Sequence, residues 1–304
     1  MKECKIPLVY ILSNGRSGST LLDLLLGAHP NVWTLGEAQR LPWGIKENNL
    51  CGCGDPISNC DFWEPMIPKI SLEEKAFPIE YFRTNDGQGK ILHWDLLQGL
   101  IYGKINDHQQ QAVDIYGQIN ADYFNAVWQA ATERRGTTIH WLVDASKDAY
   151  RLFWLQKSGL FDLRVIHLIK DPSAFVYSMI KSDLPHARRK AIRMTGRWIV
   201  ENSIGWRVRM LNFTKEQTLL LHYEQLASKP EETMARIGKW LGLDFLPDVI
   251  KDFRNYENHA IFGNQMRWQN SDILLDENWR TLLPASYIQA IRFATLPVRW
   301  IFDY

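Results

Sequence analysis

An α/β fold with a doubly wound parallel sheet is predicted by three observations: apolar runs without polar alternation, a glycine-bearing loop after the first run, and repetition of strand-then-helix order. The first run, Ile6 to Ser13 (IPLVYILS), is rich in residues suited to a strand covered on both faces. NGRSGS follows as a loop, and TLLDLLLGAH then has helical spacing that stops before Pro30. The same order recurs at Thr138 to Val143, followed by DASKD, and at Arg164 to Ile169, followed by KDPSAFVYSMIKS. In the latter, Asp171 is expected as N-cap and Pro172 as the first helical residue. A fourth run, Thr218 to Tyr223, precedes a helix opened by Pro230 and ended near Gly242. Lys190 to Asn212 reads as a long amphipathic helix against the sheet, with Trp198 and Trp206 as packing anchors.

Residues 61 to 135 carry a turn at Asn85-Asp86-Gly87, a glutamine run at Gln109 to Gln111, and scattered aromatics at Trp94, Tyr102, Tyr116 and Trp128. They are expected to form a helical insertion that serves as a lid or acceptor wall. With no internal repeat or flexible linker, residues 1 to 304 read as one domain.

Composition narrows the function. The 304 residues are 46% hydrophobic and 23% charged, enough for a substantial core and contrary to disorder or a coiled coil. The formal charge of +1 gives no global attraction to nucleic acid or anionic lipid, so any bound anion must be held by a local cluster. The longest stretch without Asp, Glu, Lys or Arg is thirteen residues, Leu24 to Gly36, too short to span a bilayer and broken by Pro30. The N-terminal apolar run ends in a polar loop without a cleavage site and reads as a core strand, so a cytoplasmic protein is expected. Cys4, Cys51, Cys53 and Cys60 are too few for a disulfide scaffold. Within CGCGDPISNC the C-x-C pair is tight for a zinc knuckle and no fourth ligand is near. Plain loop cysteines are expected ahead of a Cys53 to Cys60 disulfide, and no metal is expected.

The loop Ser13-Asn14-Gly15-Arg16-Ser17-Gly18-Ser19-Thr20 sits where a P-loop nucleotidase carries G-x-x-x-x-G-K-[ST], after a buried strand and opening a helix. Its small residues permit close backbone approach, and the amides of Ser17 to Thr20 face the helix N-terminus, where an anion is stabilised. Ser19 stands at the lysine position, however, and the cation has moved to Arg16. A nucleotidase uses that lysine with Mg²⁺ and a second carboxylate, which this sequence does not obviously supply. Metal-free transfer of a different anionic group fits better. Lys170 leaves the carboxyl end of another strand with Ser178 about two helical turns on, so both can reach one ligand.

These residues resemble the PAPS-dependent sulfotransferases, notably the soluble bacterial and cyanobacterial type. Arg16-Ser17-Gly18-Ser19-Thr20 is similar to the family's 5′-phosphosulfate loop, Ala28-His29-Pro30 to its A-H-P turn and Gly36-Glu37 to its G-E pair. Lys170 and Ser178 resemble its 3′-phosphate pair, with lysine where arginine is usual and the bidentate fork therefore lost. His259 to Arg267 resembles a G-N-x-x-R segment, in which Gly263 and Asn264 lie near the ligand and Arg267 closes over the ribose phosphate. Tyr223-Glu224, Leu226, Pro230 and Leu241-Gly242-Leu243 match further stretches read as structural.

The resemblance implies PAPS as sulfuryl donor, PAP as product, Arg16 as stabiliser of the bridging oxygen, Glu37 as general base and Lys147 on the transferring group. His29, His93 and His140 are reserve bases, with His93 ahead of the others. It also implies a small-molecule acceptor with a hydroxyl or amine, the thirteen tryptophans being similar to those of enzymes that modify secondary metabolites such as guanidinium alkaloids. Neither nucleic acid nor membrane is an expected partner, and a homodimer is compatible. A P-loop kinase or NTPase, opposed by Ser19, and a nucleotide-binding protein without transferase activity are the alternatives.

Overall fold

The computed structural model describes residues 5–70, 99–105, 107–184, 186–269 and 272–304. Five parallel strands, β1 (Ile6–Ser13), β2 (Val32–Thr34), β3 (Trp141–Lys147), β4 (Phe161–Ile169) and β5 (Thr218–His222), form one sheet in the order β2-β3-β1-β4-β5. The chain adds β2 and β3 on one side of β1 and then crosses to β4 and β5 on the other. A crevice therefore opens at the carboxyl edge between β1 and β4, where Ser13 lies beside Leu168.

Alternation along β1 makes two cores. Ile6, Leu8, Tyr10 and Leu12 face one layer with α2 (Asp107–Arg135) and α3 (Ala149–Ser158). Val9 and Ile11 face the other, with α1 (Ser19–Gly27) and α6 (Pro230–Leu241). Each fully buried aliphatic side chain contributes roughly 1.5 to 3 kcal/mol. A third cluster joins α4 (Pro172–Ile180), α5 (Arg188–Asn212) and α7 (Ala285–Ile301) around Trp198.

The helix signals act as expected. Asp171 accepts from the amides of Ser173 and Ala174 and caps α4 ahead of Pro172, while Gly242 ends α6 in the left-handed region. Several boundaries differ from expectation, β4 for one beginning at Phe161 rather than Arg164. β3 begins at Trp141 because the His140 amide donates to the Asn31 carbonyl, which leaves His140 outside the strand. It also runs on to Lys147, since the charge of Asp144 inside the strand is compensated by buried Arg151, Nε to Oδ2 2.8 Å. The three-residue β2 is too short to carry a periodic signal.

Of the expected helical insertion, residues 71–98 and 106 lie outside the described residues, and no described residue between 61 and 135 lines the cavity at the sheet edge. Within it α2 is a core layer, with Val113, Phe124, Val127 and Ala131 fully buried. From it Asn120 accepts from Arg151 at 2.9 Å and the Tyr116 hydroxyl meets the same guanidinium. The expected turn at Asn85 and the candidate base His93, like Trp94 and Cys4, lie outside the described residues. Among the described residues no helix is long and apolar enough to cross a membrane.

Candidate active site

A cavity of about 950 Å³ occupies the crevice. Arg16, Gly18, Ser19 and Thr20 from the first loop, Glu37, Lys147, Lys170, Ser178, Gly263 and Asn264 all line it. Sequence segments far apart are thus gathered on one surface by the parallel strand ends.

The first loop is held in an unusual shape. Arg16 has φ 68° and Gly18 φ 88°, so the backbone turns through the left-handed region twice before α1 begins. A Cβ on Gly18 would lie 2.3 Å from the Tyr223 ring, so the loop needs glycine there for space as well as conformation. Asn14 donates to Glu201, and Arg197 Nε donates to the other Glu201 oxygen at 2.8 Å, which ties the loop to α5. Ser17 does not line the cavity; it is buried behind it, and its hydroxyl has no hydrogen-bond partner among the described residues. Arg16 is exposed.

At the end of β4, Lys170 is 6% exposed and its ammonium lies 4.3 Å from the centre of the Tyr223 ring. Burial pulls this ammonium below the usual lysine range, and Glu224 opposes that only in part. Among the described residues Lys170 Nζ has no hydrogen bond or ion pair. Its backbone is fixed by Trp198, whose indole donates to the Lys170 carbonyl at 3.0 Å. Half-buried Ser178 donates to the Phe175 carbonyl at 2.7 Å, which leaves its oxygen able to accept or its proton to be redirected to a ligand. Tyr223 therefore touches both the Gly18 turn and Lys170, a role that its reading as structural did not anticipate.

On the opposite wall Glu37 sits between two cations. Lys147 Nζ donates to Oε1 at 2.7 Å and Arg40 Nε lies 2.8 Å from Oε2. Burial pushes the Glu37 carboxyl up, but Lys147 and Arg40 outweigh it and hold it below the usual glutamate range. Gly36, at φ 65°, makes this turn: a Cβ there would lie 2.4 Å from the Ile261 carbonyl, which accepts from the Glu37 amide at 2.7 Å. Lys147 itself holds φ 69°, a conformation strained for a side-chain-bearing residue at the end of a strand. Asp148 lines the same cavity; burial pushes it up to about 7, and its Oδ2 has no hydrogen-bond partner among the described residues. Sequence reading missed Asp148 and Arg40, whose charges beside strand ends carry no periodic signal, and Arg197, which reads as one more charge on the amphipathic helix α5.

Arg267 lies outside the lining of this cavity. It lines a smaller neighbouring pocket, and its guanidinium donates to the carbonyls of Leu50, Ala260 and Phe262. Those bonds make it a clamp on the segment that delivers Gly263 and Asn264, whose amide donates to the Thr20 hydroxyl at 3.0 Å. His29 is buried and tilted against Phe245, away from the cavity lining.

Cys51, Cys53 and Cys60 are free thiols, as expected ahead of the loop disulfide, but the expectation about a fourth ligand does not hold. A fourth ligand is near after all: His259 brings Nδ1 to 3.1 Å from Cys60 Sγ across 199 residues of sequence.

A sequence search of curated proteins finds no match. Among solved structures, the sulfotransferase domain of the Synechococcus PCC 7002 olefin synthase is similar over 99% of this chain and 97% of its own, at 20% identity and a TM-score of 0.56. A sulfotransferase domain from the curacin biosynthetic pathway matches over 95% of this chain and 98% of its own, at 17% identity and 0.51. Sulfotransferase STF9 from Mycobacterium avium covers 99% of this chain and 78% of its own, at 15% identity and 0.51. At these identities the likeness concerns the fold, a P-loop-like parallel α/β sheet. The sequence model of the Sulfotransferase family matches residues 62–248, which include Lys147, Lys170 and Ser178 but neither the first loop nor Glu37. That match spans more than half of the chain, and the protein belongs to the Sulfotransferase family.

Proposed function

We propose that the chain, acting as one domain, moves the sulfuryl group of PAPS to a hydroxyl or amine of a small-molecule acceptor and releases PAP. One observation carries the reading: the Arg16 loop and the Lys170–Ser178 pair, which follow neighbouring strands, open into the same cavity. The buried ammonium of Lys170, which has no hydrogen bond or ion pair among the described residues, suits an anionic ligand at its end of the cavity, and the exposed Arg16 suits one at the other. Nothing in the cavity's chemistry calls for the P-loop lysine that a kinase would need at Ser19.

The donor supplies a sulfur centre with a phosphate leaving group. In the reaction an acceptor oxygen or nitrogen forms a bond to sulfur as the bond from sulfur to the 5′-phosphate oxygen breaks, and the acceptor's proton passes to a base. Arg16 and the loop amides stabilise charge on the leaving oxygen. Lys147, held by Glu37, is oriented toward the transferring group. Lys170 and Ser178 hold the 3′-phosphate and fix the register of the donor. Glu37 is the base: an incoming acceptor proton replaces one of its two cation contacts. Asp148 is a second reading for the base, favoured by its free Oδ2 and its upward shift.

The wall carrying Arg40, Lys147 and the carboxylates Glu37 and Asp148 suits a polar acceptor, and a guanidinium-bearing secondary metabolite remains the named candidate. An acceptor screen with radiolabelled PAPS, followed by mass spectrometry of the product, tests the function. Transfer of label to an alcohol or amine is expected. Mg²⁺-dependent turnover of ATP with no labelled product from any acceptor would establish the kinase alternative instead.

A further inference from the structure

We propose that Cys51, Cys53, Cys60 and His259 form a structural zinc site that pins the segment carrying Gly263 and Asn264 to the first half of the chain. The ligand atoms of these four residues, one from each, lie within 4.8 Å of one another. Cys51 Sγ is 3.6 Å from Cys60 Sγ, Cys53 Sγ is 3.7 Å from Cys60 Sγ, and His259 Nδ1 is 3.7 Å from Cys51 Sγ and 3.1 Å from Cys60 Sγ. A tetrahedral zinc with bonds of about 2.3 Å to sulfur and about 2.0 Å to nitrogen needs ligand atoms roughly 3.5 to 3.8 Å apart. Three of these four spacings match that tetrahedron and His259 needs a small outward shift from Cys60, while Cys53, within 4.8 Å of Cys51 and of His259, is exposed and free to move in.

Donor chemistry selects the ion. Three thiolates and one imidazole are soft and borderline ligands that suit zinc over magnesium or calcium, and four protein ligands leave no open position for catalysis. The histidine is already oriented as a ligand. Its Nε2 lies 2.9 Å from Glu257 Oε1, its ring is stacked on Phe62 at 5.1 Å and Trp33 at 5.9 Å, and Trp63 donates to its carbonyl at 2.8 Å. A carboxylate behind the distal nitrogen leaves Nδ1 as the atom facing the thiols and raises the basicity of the ring. Arg134, at the end of α2, bonds Glu257 and Asp61 and completes the outer layer.

The site would act on the cavity through the backbone. The Gly52 amide donates to the Ala260 carbonyl at 3.0 Å, Trp268 donates to the Cys51 carbonyl at 3.1 Å, and Arg267 reaches Leu50 at 2.9 Å. These bonds run between the cysteine loop and residues 260–268, which lead into Gly263 and Asn264 on the cavity wall. The zinc site is independent of which donor or acceptor the enzyme uses.

The test is the metal content of the full chain, produced with zinc in the medium and freed of loosely bound metal by desalting. About one zinc per chain is expected, with cobalt replacing it to give an absorption spectrum of tetrahedral coordination and thiolate charge transfer. Stripping with a strong chelator should lower the melting temperature by several degrees, and added zinc should restore it. Cys53→Ser, at an exposed position, should lose the metal while retaining its far-ultraviolet circular dichroism. Should that variant fail to fold, the wild-type stoichiometry and cobalt spectrum decide by themselves. A metal-free wild-type chain with no thiolate band after cobalt addition, or a Cys53–Cys60 disulfide in the non-reduced protein, would overturn the proposal.

Discussion

The two ends of the cavity proposed to hold anions are built in opposite ways. At the first loop the cation, Arg16, is exposed, on a turn shaped by two left-handed residues. At the end of β4 the cation, Lys170, is buried, lies over an aromatic ring, and is fixed from behind by Trp198. An exposed arginine on a turn can follow a charge that moves during reaction, whereas a desolvated lysine rewards one fixed phosphate. The contrast assigns turnover to the loop end and affinity to the lysine end, with Tyr223 touching both.

Substitutions can break that division. Glu37→Gln should have the largest effect, lowering turnover by about 10²- to 10⁴-fold with PAP affinity nearly unchanged, as read from steady-state rates beside calorimetric binding. Because Glu37 titrates below the usual glutamate range, it stays ionised and turnover should be flat between pH 6 and pH 8. If Asp148 is the base instead, its titration near 7 makes the rate rise with pH up to that point, and Asp148→Asn rather than Glu37→Gln abolishes turnover. Arg16→Ala should lower turnover by about 10²- to 10³-fold while PAP binding changes by only a few-fold. A large loss of PAP affinity in that variant would remove the contrast between the ends.

Lys170→Ala should do the reverse. One charge-assisted hydrogen bond is worth about 1.5 to 3 kcal/mol, so the dissociation constant for PAP should rise by about one to two orders of magnitude with turnover at saturation little changed. Tyr223→Leu should weaken PAP by only about three- to tenfold, the worth of the ring's contact with the ammonium, and its binding curve sharpens the division by showing how far the two ends are coupled.

Much of this was legible because it is local. Strand β1, the R-S-G-S-T loop and α1 are contiguous, and Lys170 is linked to Ser178 by one capped helix, so spacing alone pointed to both segments, which the fold brings to one cavity. What the sequence hid depends on distant partners. Asp144 reads as the start of a loop until Arg151 compensates it inside the strand. Tyr223 reads as structural until the sheet brings it against Gly18 and Lys170. The three clustered cysteines read as plain thiols because their histidine lies 199 residues from Cys60. Arg267 matched a phosphate-binding pattern, yet carbonyls of two separate segments, which no local pattern encodes, take up its guanidinium.

The most direct measurement compares calorimetric binding of PAP with that of adenosine 5′-monophosphate, which lacks the 3′-phosphate, in the wild-type chain and in Lys170→Ala. A donor held at both ends requires the wild type to prefer PAP by about tenfold or more, and the variant to lose that preference while keeping its affinity for the monophosphate. Equal affinity of the wild type for both nucleotides, or an undiminished preference in the variant, would contradict the account.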